Sequence, residues 1–116
     1  MKGVNKVALN PSQFLSLVIP VYGGEKVLPE LLIQIKKAMK LNQRNFEIIF
    51  VCDKSPDNSW QVIEKFCENN PNIKGLLLRM NATQHNALMA GFYHAKGEII
   101  VTMDDDLQHS PKDIEI

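Results

Sequence analysis

The segment at residues 101–111 reads VTMDDDLQHSP and places three aspartates directly after an apolar run. Carboxylates this close raise one another's pKa values unless a positive charge neutralises them. Mg²⁺ and Mn²⁺ prefer carboxylate and amide oxygens and often bind substrate phosphates as well. In an extended chain Asp104 and Asp106 point to one side and Asp105 to the other. The segment therefore predicts a Mg²⁺ or Mn²⁺ site formed by Asp104, Asp106 and, if the chain curls back, Gln108. The alternative is an acidic loop that faces water.

Two alternating periodicities predict the elements that position these side chains. Apolar runs rich in β-branched residues predict strands at 14–21, 46–52, 73–79 and 98–103. Apolar residues recurring at intervals of three and four predict helices at 25–41, 54–70 and 82–95. Within the second helix, Ser55 is the predicted cap and Pro56 the first helical residue, and Ser110 with Pro111 repeats this pattern for a further helix.

This order of elements predicts an α/β fold in which four parallel strands, flanked by helices, follow the spatial order 3-2-1-4. Residues 1–13 have no sustained pattern and are expected to be a loose N-terminal lead to one domain over residues 14–116. Ligands of open α/β sheets bind outside the carboxyl ends of the strands. Candidate binding residues are therefore the polar and turn residues that follow each strand. They are Pro20, Tyr22 and Glu25 after the first strand; Asp53, Ser55 and Asp57 after the second; Asn81 and Gln84 after the third; and Asp104, Asp105, Asp106 and Gln108 after the fourth.

The composition excludes several classes of protein. Thirteen basic and thirteen acidic residues give no net charge that would attract nucleic acid. Cys52 and Cys67 lack zinc-site spacing, and the histidines at 85, 94 and 109 are not arranged as ligands of a common metal. No signal peptide and no apolar run of membrane-spanning length is present in these residues, so a cytoplasmic location is expected.

Four segments, taken in order, resemble the signatures of family 2 glycosyltransferases. They are LVIPVYGGEKVL, VCDKSPDNSW, NATQHNALMAG and VTMDDDLQHSPKDI, and together they cover residues 15–116. DDDLQHSP is most similar to the branch that includes dolichol-phosphate mannosyltransferase and the bacterial polyprenyl-phosphate sugar transferases. The chain departs from the family pattern at Lys54 and at Thr83, where the family usually has glycine.

The resemblance implies a Rossmann-like GT-A fold and a metal-dependent, inverting transfer of a sugar from a UDP- or GDP-linked donor. It implies that Pro20, Tyr22 and Glu25 surround the nucleoside, that Asp53 meets the base and that Asp104 lies near the nucleotide sugar. It also implies that Asp106 and Gln108 bind the metal. The acceptor would be a polyprenyl phosphate or a cell-envelope glycan.

The resemblance also implies that part of the enzyme lies outside residues 1–116. The acceptor half, with its catalytic base, is expected beyond Ile116, and this part alone is expected to be inactive. The full-length protein is expected at the cytoplasmic face of the membrane. Two other functions stay open: a non-catalytic nucleotide-binding or regulatory module, and a phosphate-accepting signalling domain. The latter would need its acidic residues after the first strand, where the chain reads PVYGG.

Overall fold

The protein alternates strands and helices along the chain. The computed structural model describes residues 13–41, 45–52, 58–78 and 84–103, except for the side chains of residues 84 and 85. The elements in chain order are β1 (Leu15–Val21), α1 (Leu28–Leu41), β2 (Phe46–Cys52), α2 (Ser59–Asn69), β3 (Ile73–Leu77), α3 (Gln84–His94) and β4 (Ile99–Thr102). The predicted lead at residues 1–13, apart from Gln13, and the predicted helix start at Ser110 and Pro111 lie outside the described residues.

All four strands form one parallel sheet in the order β3-β2-β1-β4. The predicted α/β fold and strand order are therefore confirmed. β1 pairs with β2 along its whole length, from Leu15 opposite Phe46 to Val21 opposite Cys52. β4 pairs with the first part of β1, from Leu15 opposite Ile99 to Val18 opposite Thr102. Residues Leu15–Val18 of β1 therefore have a neighbouring strand on each side, and side chains cover both faces of the strand.

Helices α1 and α2 pack on one face of the sheet and form the larger part of the core. The apolar stripe predicted for α1 is buried at Leu28, Leu31, Leu32, Ile35, Ala38 and Met39. It packs against alternate residues of the strands, such as Leu17 and Phe50, and against Ile63 of α2. Burying each large side chain contributes roughly 1.5 to 3 kcal/mol, so this face holds most of the apolar stabilisation.

Helix α3 covers the other face through a smaller cluster around Val18, Ile49, Val51 and Ala87. A Cβ atom on Gly91 would overlap Val18 Cγ1 and would lie 3.2 Å from Val51 Cγ2. The backbone of α3 therefore lies directly on β1 and β2 at Gly91, at a distance that a larger residue would not permit.

Two helices begin later than the sequence predicts. α1 starts at Leu28 rather than Glu25, because residues 25–27 form a turn in which the Gly24 carbonyl accepts the N–H groups of Val27 and Leu28. α2 starts at Ser59 with Asn58 in the N-cap position, whereas Ser55 was predicted as the cap. Ser55 and Pro56 themselves lie outside the described residues.

A buried polar cluster lies at the amino edge of the sheet. The Ser16 hydroxyl donates to Glu47 Oε2 at 2.6 Å, and the Lys96 N–H donates to the same oxygen at 2.7 Å. Lys74 Nζ lies 3.0 Å from Glu47 Oε1, and the Gly97 N–H donates to Ser16 Oγ at 2.8 Å. We call these residues, Ser16, Glu47, Lys74, Lys96 and Gly97, the amino-edge cluster. It joins β1, β2 and β3 to the segment that leads into β4.

The amino-edge cluster keeps Glu47 ionised although its side chain is only 4% exposed. Burial by itself raises the pKa of this carboxyl. Hydrogen bonds from the Lys96 N–H and the Ser16 hydroxyl, followed by the hydrogen bond and charge of Lys74, outweigh burial. The pKa of Glu47 therefore lies below its usual value, and the folded state favours the charged form.

The first prediction concerns the contact at Gly91. Gly91→Ala should destabilise the protein by about 1 to 3 kcal/mol through overpacking, despite a gain of about 1 kcal/mol in helix propensity. The matched variant Gly91→Ala/Val18→Ala removes the methyl group that the new Cβ would meet. Its loss should be smaller than the sum of the two single losses in urea unfolding. Simple additivity would contradict the close contact.

The second prediction concerns the charge of Glu47. Because its pKa is lower in the folded than in the unfolded state, its contribution to stability is complete above the usual pKa of 4.5. That contribution is lost as the pH falls through the lower folded value. Glu47→Gln should therefore be less stable than the parent at pH 7, and the difference should shrink below about pH 4.5. Urea unfolding of both proteins across pH measures this difference in stability. A difference that stays constant with pH would contradict the charged state of Glu47.

Candidate functional site

The carboxyl ends of the four strands lie along one edge of the sheet. β1 and β2 end level with one another, since Val21 lies opposite Cys52, and Cys52 lies opposite Leu77 at the end of β3. β4 ends three residues lower, with Thr102 opposite Val18. The next N–H along the chain, that of Met103, donates to the Val18 carbonyl at 3.3 Å. The segments that follow the strands therefore all start from the edge where α/β proteins bind ligands.

Three of the predicted nucleoside-binding residues are described, and all three follow or end β1. Pro20 is half-buried opposite Val51 in the sheet. The side chain of Tyr22 is largely exposed, and Glu25 is half-buried in the turn before α1. Geometry thus brings Pro20, Tyr22 and Glu25 to the carboxyl edge, as the strand pattern predicts. The remaining site residues, Asp53, Asp104, Asp106 and Gln108, lie outside the described residues.

Glu25 links two of the segments at this edge. Its Oε1 atom accepts the main-chain N–H of Asn58 at 3.1 Å, and its Oε2 atom lies 3.5 Å from Asn58 Nδ2. Asn58 makes no capping hydrogen bond with its own side chain, and the first turn of α2 contains no acidic residue. Glu25 therefore provides, from another segment, the negative charge that favours the positive N-terminus of a helix. Sequence reasoning missed Asn58, although asparagine is a preferred N-cap residue.

Three further ring-bearing side chains contact neighbouring side chains of the protein. Trp60 and Phe66 pack against the core, and the Phe66 ring lies 5.8 Å from that of Phe50. His94 is exposed at the end of α3, where its ring meets the edge of Tyr93.

Among the residues that the structure describes, no group of three or more His, Cys, Asp or Glu side chains could hold a metal ion. Within the same ranges, no helix is both long and apolar enough to cross a bilayer. The predicted metal ligands fall outside these ranges, so their role stays a prediction.

Comparison with solved structures gives the structural class. A mannosyltransferase, PcManGT of Pyrobaculum calidifontis, in complex with GDP-Man and Mn²⁺, is similar with a TM-score of 0.73 and 22% sequence identity. That similarity covers 87% of this chain and 30% of the other. S. aureus TarS residues 1–349, in complex with UDP, is similar with a TM-score of 0.66 and 29% identity over 79% of this chain and 27% of the other. The fold is thus that of the GT-A glycosyltransferases.

Comparison with sequences gives the family. The model of the family described as "Glycosyl transferase family 2" matches residues 16–116. The chain therefore belongs to glycosyl transferase family 2, and the resemblance noted from its motifs is confirmed.

Curated relatives carry a more specific name. An undecaprenyl-phosphate 4-deoxy-4-formamido-L-arabinose transferase of Shewanella sediminis is 43% identical over 102 residues, which are 87% of this chain. A protein of the same name from Pseudomonas fluorescens is 40% identical over 105 residues, or 90% of the chain. The matched residues make up 31% of the length of each of these relatives.

The third prediction concerns Glu25. Glu25→Ala removes the acceptor for the Asn58 N–H and should cost about 1 kcal/mol of stability, the typical scale of one hydrogen bond. The matched variant Glu25→Gln keeps an acceptor and loses only the charge, so its cost should be smaller. Amide hydrogen exchange should also become faster in the first turn of α2 in Glu25→Ala. Equal effects of the two variants would mean that charge alone matters.

Proposed function

We propose that the full-length protein carrying this chain is an inverting glycosyltransferase. It moves a sugar from a UDP- or GDP-linked donor to a polyprenyl phosphate or a cell-envelope glycan. The observation that carries this proposal is the family match over residues 16–116. Two further comparisons support it. Relatives at least 40% identical are named as undecaprenyl-phosphate sugar transferases, and TarS, with a similar fold, binds UDP and UDP-GlcNAc.

The donor would bind at the carboxyl edge of the sheet. Pro20, Tyr22 and Glu25 would surround the nucleoside, Asp53 would accept a hydrogen bond from the base, and Asp104 would lie near the nucleotide sugar. This proposal is supported by the position of the three described residues, which end or follow the central strand. The bond from Glu25 to Asn58 would hold the two neighbouring segments at a constant separation around the nucleoside.

A divalent cation would be held by Asp104, Asp106 and Gln108. This donor set consists only of carboxylate and amide oxygens, which fit Mg²⁺ or Mn²⁺ and do not favour softer metals. When bound, such a cation acts as a Lewis acid that stabilises the negative charge on the departing diphosphate. The aspartates in turn would be relieved of their mutual repulsion.

The identity of the acceptor decides whether a catalytic base is needed. The oxygen of a polyprenyl phosphate is already anionic and needs little deprotonation, whereas a sugar hydroxyl needs a general base. We place such a base, where it is needed, in the part of the protein beyond Ile116. A polyprenyl acceptor is anchored in a bilayer, so the full-length protein would act at the cytoplasmic face of a membrane.

The fourth prediction tests donor binding and the metal together. UDP- or GDP-sugars should raise the thermal unfolding temperature of the full-length protein, and Mn²⁺ should increase that shift. Asp106→Ala should abolish the increase because it removes a charged ligand, and Gln108→Ala should weaken it modestly because a neutral amide contributes less. Asp105→Ala should have less effect than Asp106→Ala, since strand alternation turns Asp105 to the other side.

Asp113→Ala is the matched control, because it removes a nearby carboxylate that is expected to face water. It should leave the Mn²⁺ effect unchanged. A larger loss for Asp105→Ala than for Asp106→Ala would contradict the assignment of ligands. Sugar transfer from a labelled donor to undecaprenyl phosphate completes the test. Donor binding without any transfer in the full-length protein would favour the non-catalytic nucleotide-binding module.

A further inference from the structure

Three consecutive main-chain N–H groups at the start of β4 all donate to acceptors near the amino ends of β1 and β2. They are Lys96 N–H to Glu47 Oε2 at 2.7 Å, Gly97 N–H to Ser16 Oγ at 2.8 Å, and Glu98 N–H to the Phe14 carbonyl at 2.9 Å. Two of the three acceptors are side-chain atoms that belong to the amino-edge cluster. The position of β4 along the sheet is therefore determined at its start by side chains as well as by the strand ladder.

The chain packs closely around Gly97. A Cβ atom on Gly97 would lie 2.6 Å from both the main-chain nitrogen and the Oγ of Ser16, and 2.9 Å from the Ile99 carbonyl oxygen. Ser16 is fully buried, and Glu47 is buried beside it, so neither side chain can be replaced by water without rearrangement. Loss of either acceptor would leave a partly buried N–H group without this partner, and a donor that is shielded from water and unsatisfied costs free energy.

The remaining interactions of β4 specify its register only weakly. The strand has four residues and pairs with β1 at four positions, from Leu15 opposite Ile99 to Val18 opposite Thr102. Because side chains alternate with a period of two, a slip of two residues would keep the same face toward the core. It would replace Ile99 and Val101 there by Val101 and Met103, which are all apolar. Hydrophobic pattern alone therefore does not exclude such a slip.

A slip of this size would matter for the residues that follow β4. Two residues of a strand correspond to about 6.6 Å along the sheet, whereas oxygen ligands lie about 2.1 Å from Mg²⁺. Asp104 and Asp106 follow β4 directly in the sequence. A metal site that combined them with a donor bound beside β1 would be lost at the wrong register.

We propose that Ser16 and Glu47 are positioning residues for the proposed metal site: by binding the N–H groups of Gly97 and Lys96, they determine the register at which β4 ends, shortly before Asp104 and Asp106 in the sequence. This role rests on the proposed function, because it concerns the proposed metal ligands. It is exerted from the amino edge, at the opposite end of the strands from the donor.

The test compares four variants of the full-length protein under conditions in which all of them are folded. Ser16→Ala and Glu47→Ala remove acceptors of the cluster. Glu47→Gln keeps an oxygen for the Lys96 N–H and the Ser16 hydroxyl and loses the charge together with the acceptor of Lys74. Ile35→Val, in the middle of α1, is the control for general destabilisation, since a buried Ile→Val change typically costs about as much as one hydrogen bond.

Two measurements are made on each variant. Hydrogen exchange of the Met103 amide, which donates to the Val18 carbonyl, reports on the register at the end of β4. Exchange of the Ile48 amide, which donates to the Asn72 carbonyl, is the internal reference for the rest of the sheet. The Mn²⁺ concentration that gives half-maximal sugar transfer, and kcat at saturating Mn²⁺, report on the proposed metal site.

We expect loss of a cluster acceptor to affect β4 and the Mn²⁺ requirement more than the rest of the sheet. Ser16→Ala and Glu47→Ala should speed exchange at Met103 relative to Ile48 by about five- to tenfold, the change that corresponds to loss of one hydrogen bond. Both should raise the Mn²⁺ requirement by a similar factor. Glu47→Gln should keep the protection of Met103 and the Mn²⁺ requirement of the parent, although its stability is lower. Ile35→Val should leave both quantities at the values of the parent.

Other results would overturn the proposal. If exchange at Met103 in Ser16→Ala follows that in Ile35→Val, the cluster does not hold β4. If exchange changes but the Mn²⁺ requirement does not, the cluster holds β4 without positioning the metal ligands. If the parent shows no Mn²⁺-dependent transfer, the proposed function fails and the positioning role fails with it. Exchange at Met103 still distinguishes that case from a failure of the cluster. Should Glu47→Ala not fold, Ser16→Ala and Glu47→Gln decide between these results.

Discussion

The carboxylate of Glu47 is enclosed at the start of β2, and the amino edge of the sheet is arranged around the need to satisfy its charge. An unpaired buried carboxylate would be far too costly to keep ionised, and three donors satisfy this one. The hydroxyl of Ser16, the ammonium of Lys74 and the N–H of Lys96 come from three separate segments. Satisfying one charge therefore brings the whole sheet and the start of β4 together.

The two edges of the sheet have different physical characters as a result. At the amino edge, close approach at Gly97 and the buried hydrogen bond between Ser16 and Glu47 leave little freedom. At the carboxyl edge, the chain leaves the strands in connecting segments, where polar side chains can meet a ligand. The contact of Glu25 with Asn58 joins two of those segments. The carboxyl edge is also where open α/β sheets bind ligands.

The carboxyl edge of the sheet can be interpreted from the chain's membership of glycosyl transferase family 2. The described part of the chain contains four strands and three helices of the GT-A fold. The curated relatives are about three times as long as the segment they share with this chain, because the match covers 31% of their length. Choice of acceptor is accordingly a question for the full-length protein, whereas the described residues already form a four-stranded parallel sheet.

The sequence by itself determined the order of the elements, the parallel sheet and the family. Continuous apolar runs such as FLSLVIPV and FEIIFVC are local signals, and alternating strands and helices leave few permitted topologies. Motif order then indicated the family, and Pro20, Tyr22 and Glu25 were placed at the carboxyl edge because they follow a strand. Helix starts were less predictable, since Asn58 rather than Ser55 occupies the N-cap position of α2 and its N–H is satisfied by a distant glutamate.

Only the tertiary structure decided the role of Glu47. In FEIIFVC this residue reads as one polar position near the start of a buried strand. Its partners Ser16 and Lys96 lie 31 and 49 residues away along the chain. No local periodicity reports such a distance, because hydrogen bonds between side chains depend on how the strands are ordered and on their register. The same reason explains why Gly91 and Gly97, ordinary glycines in the sequence, became identifiable as contact points only in the folded chain.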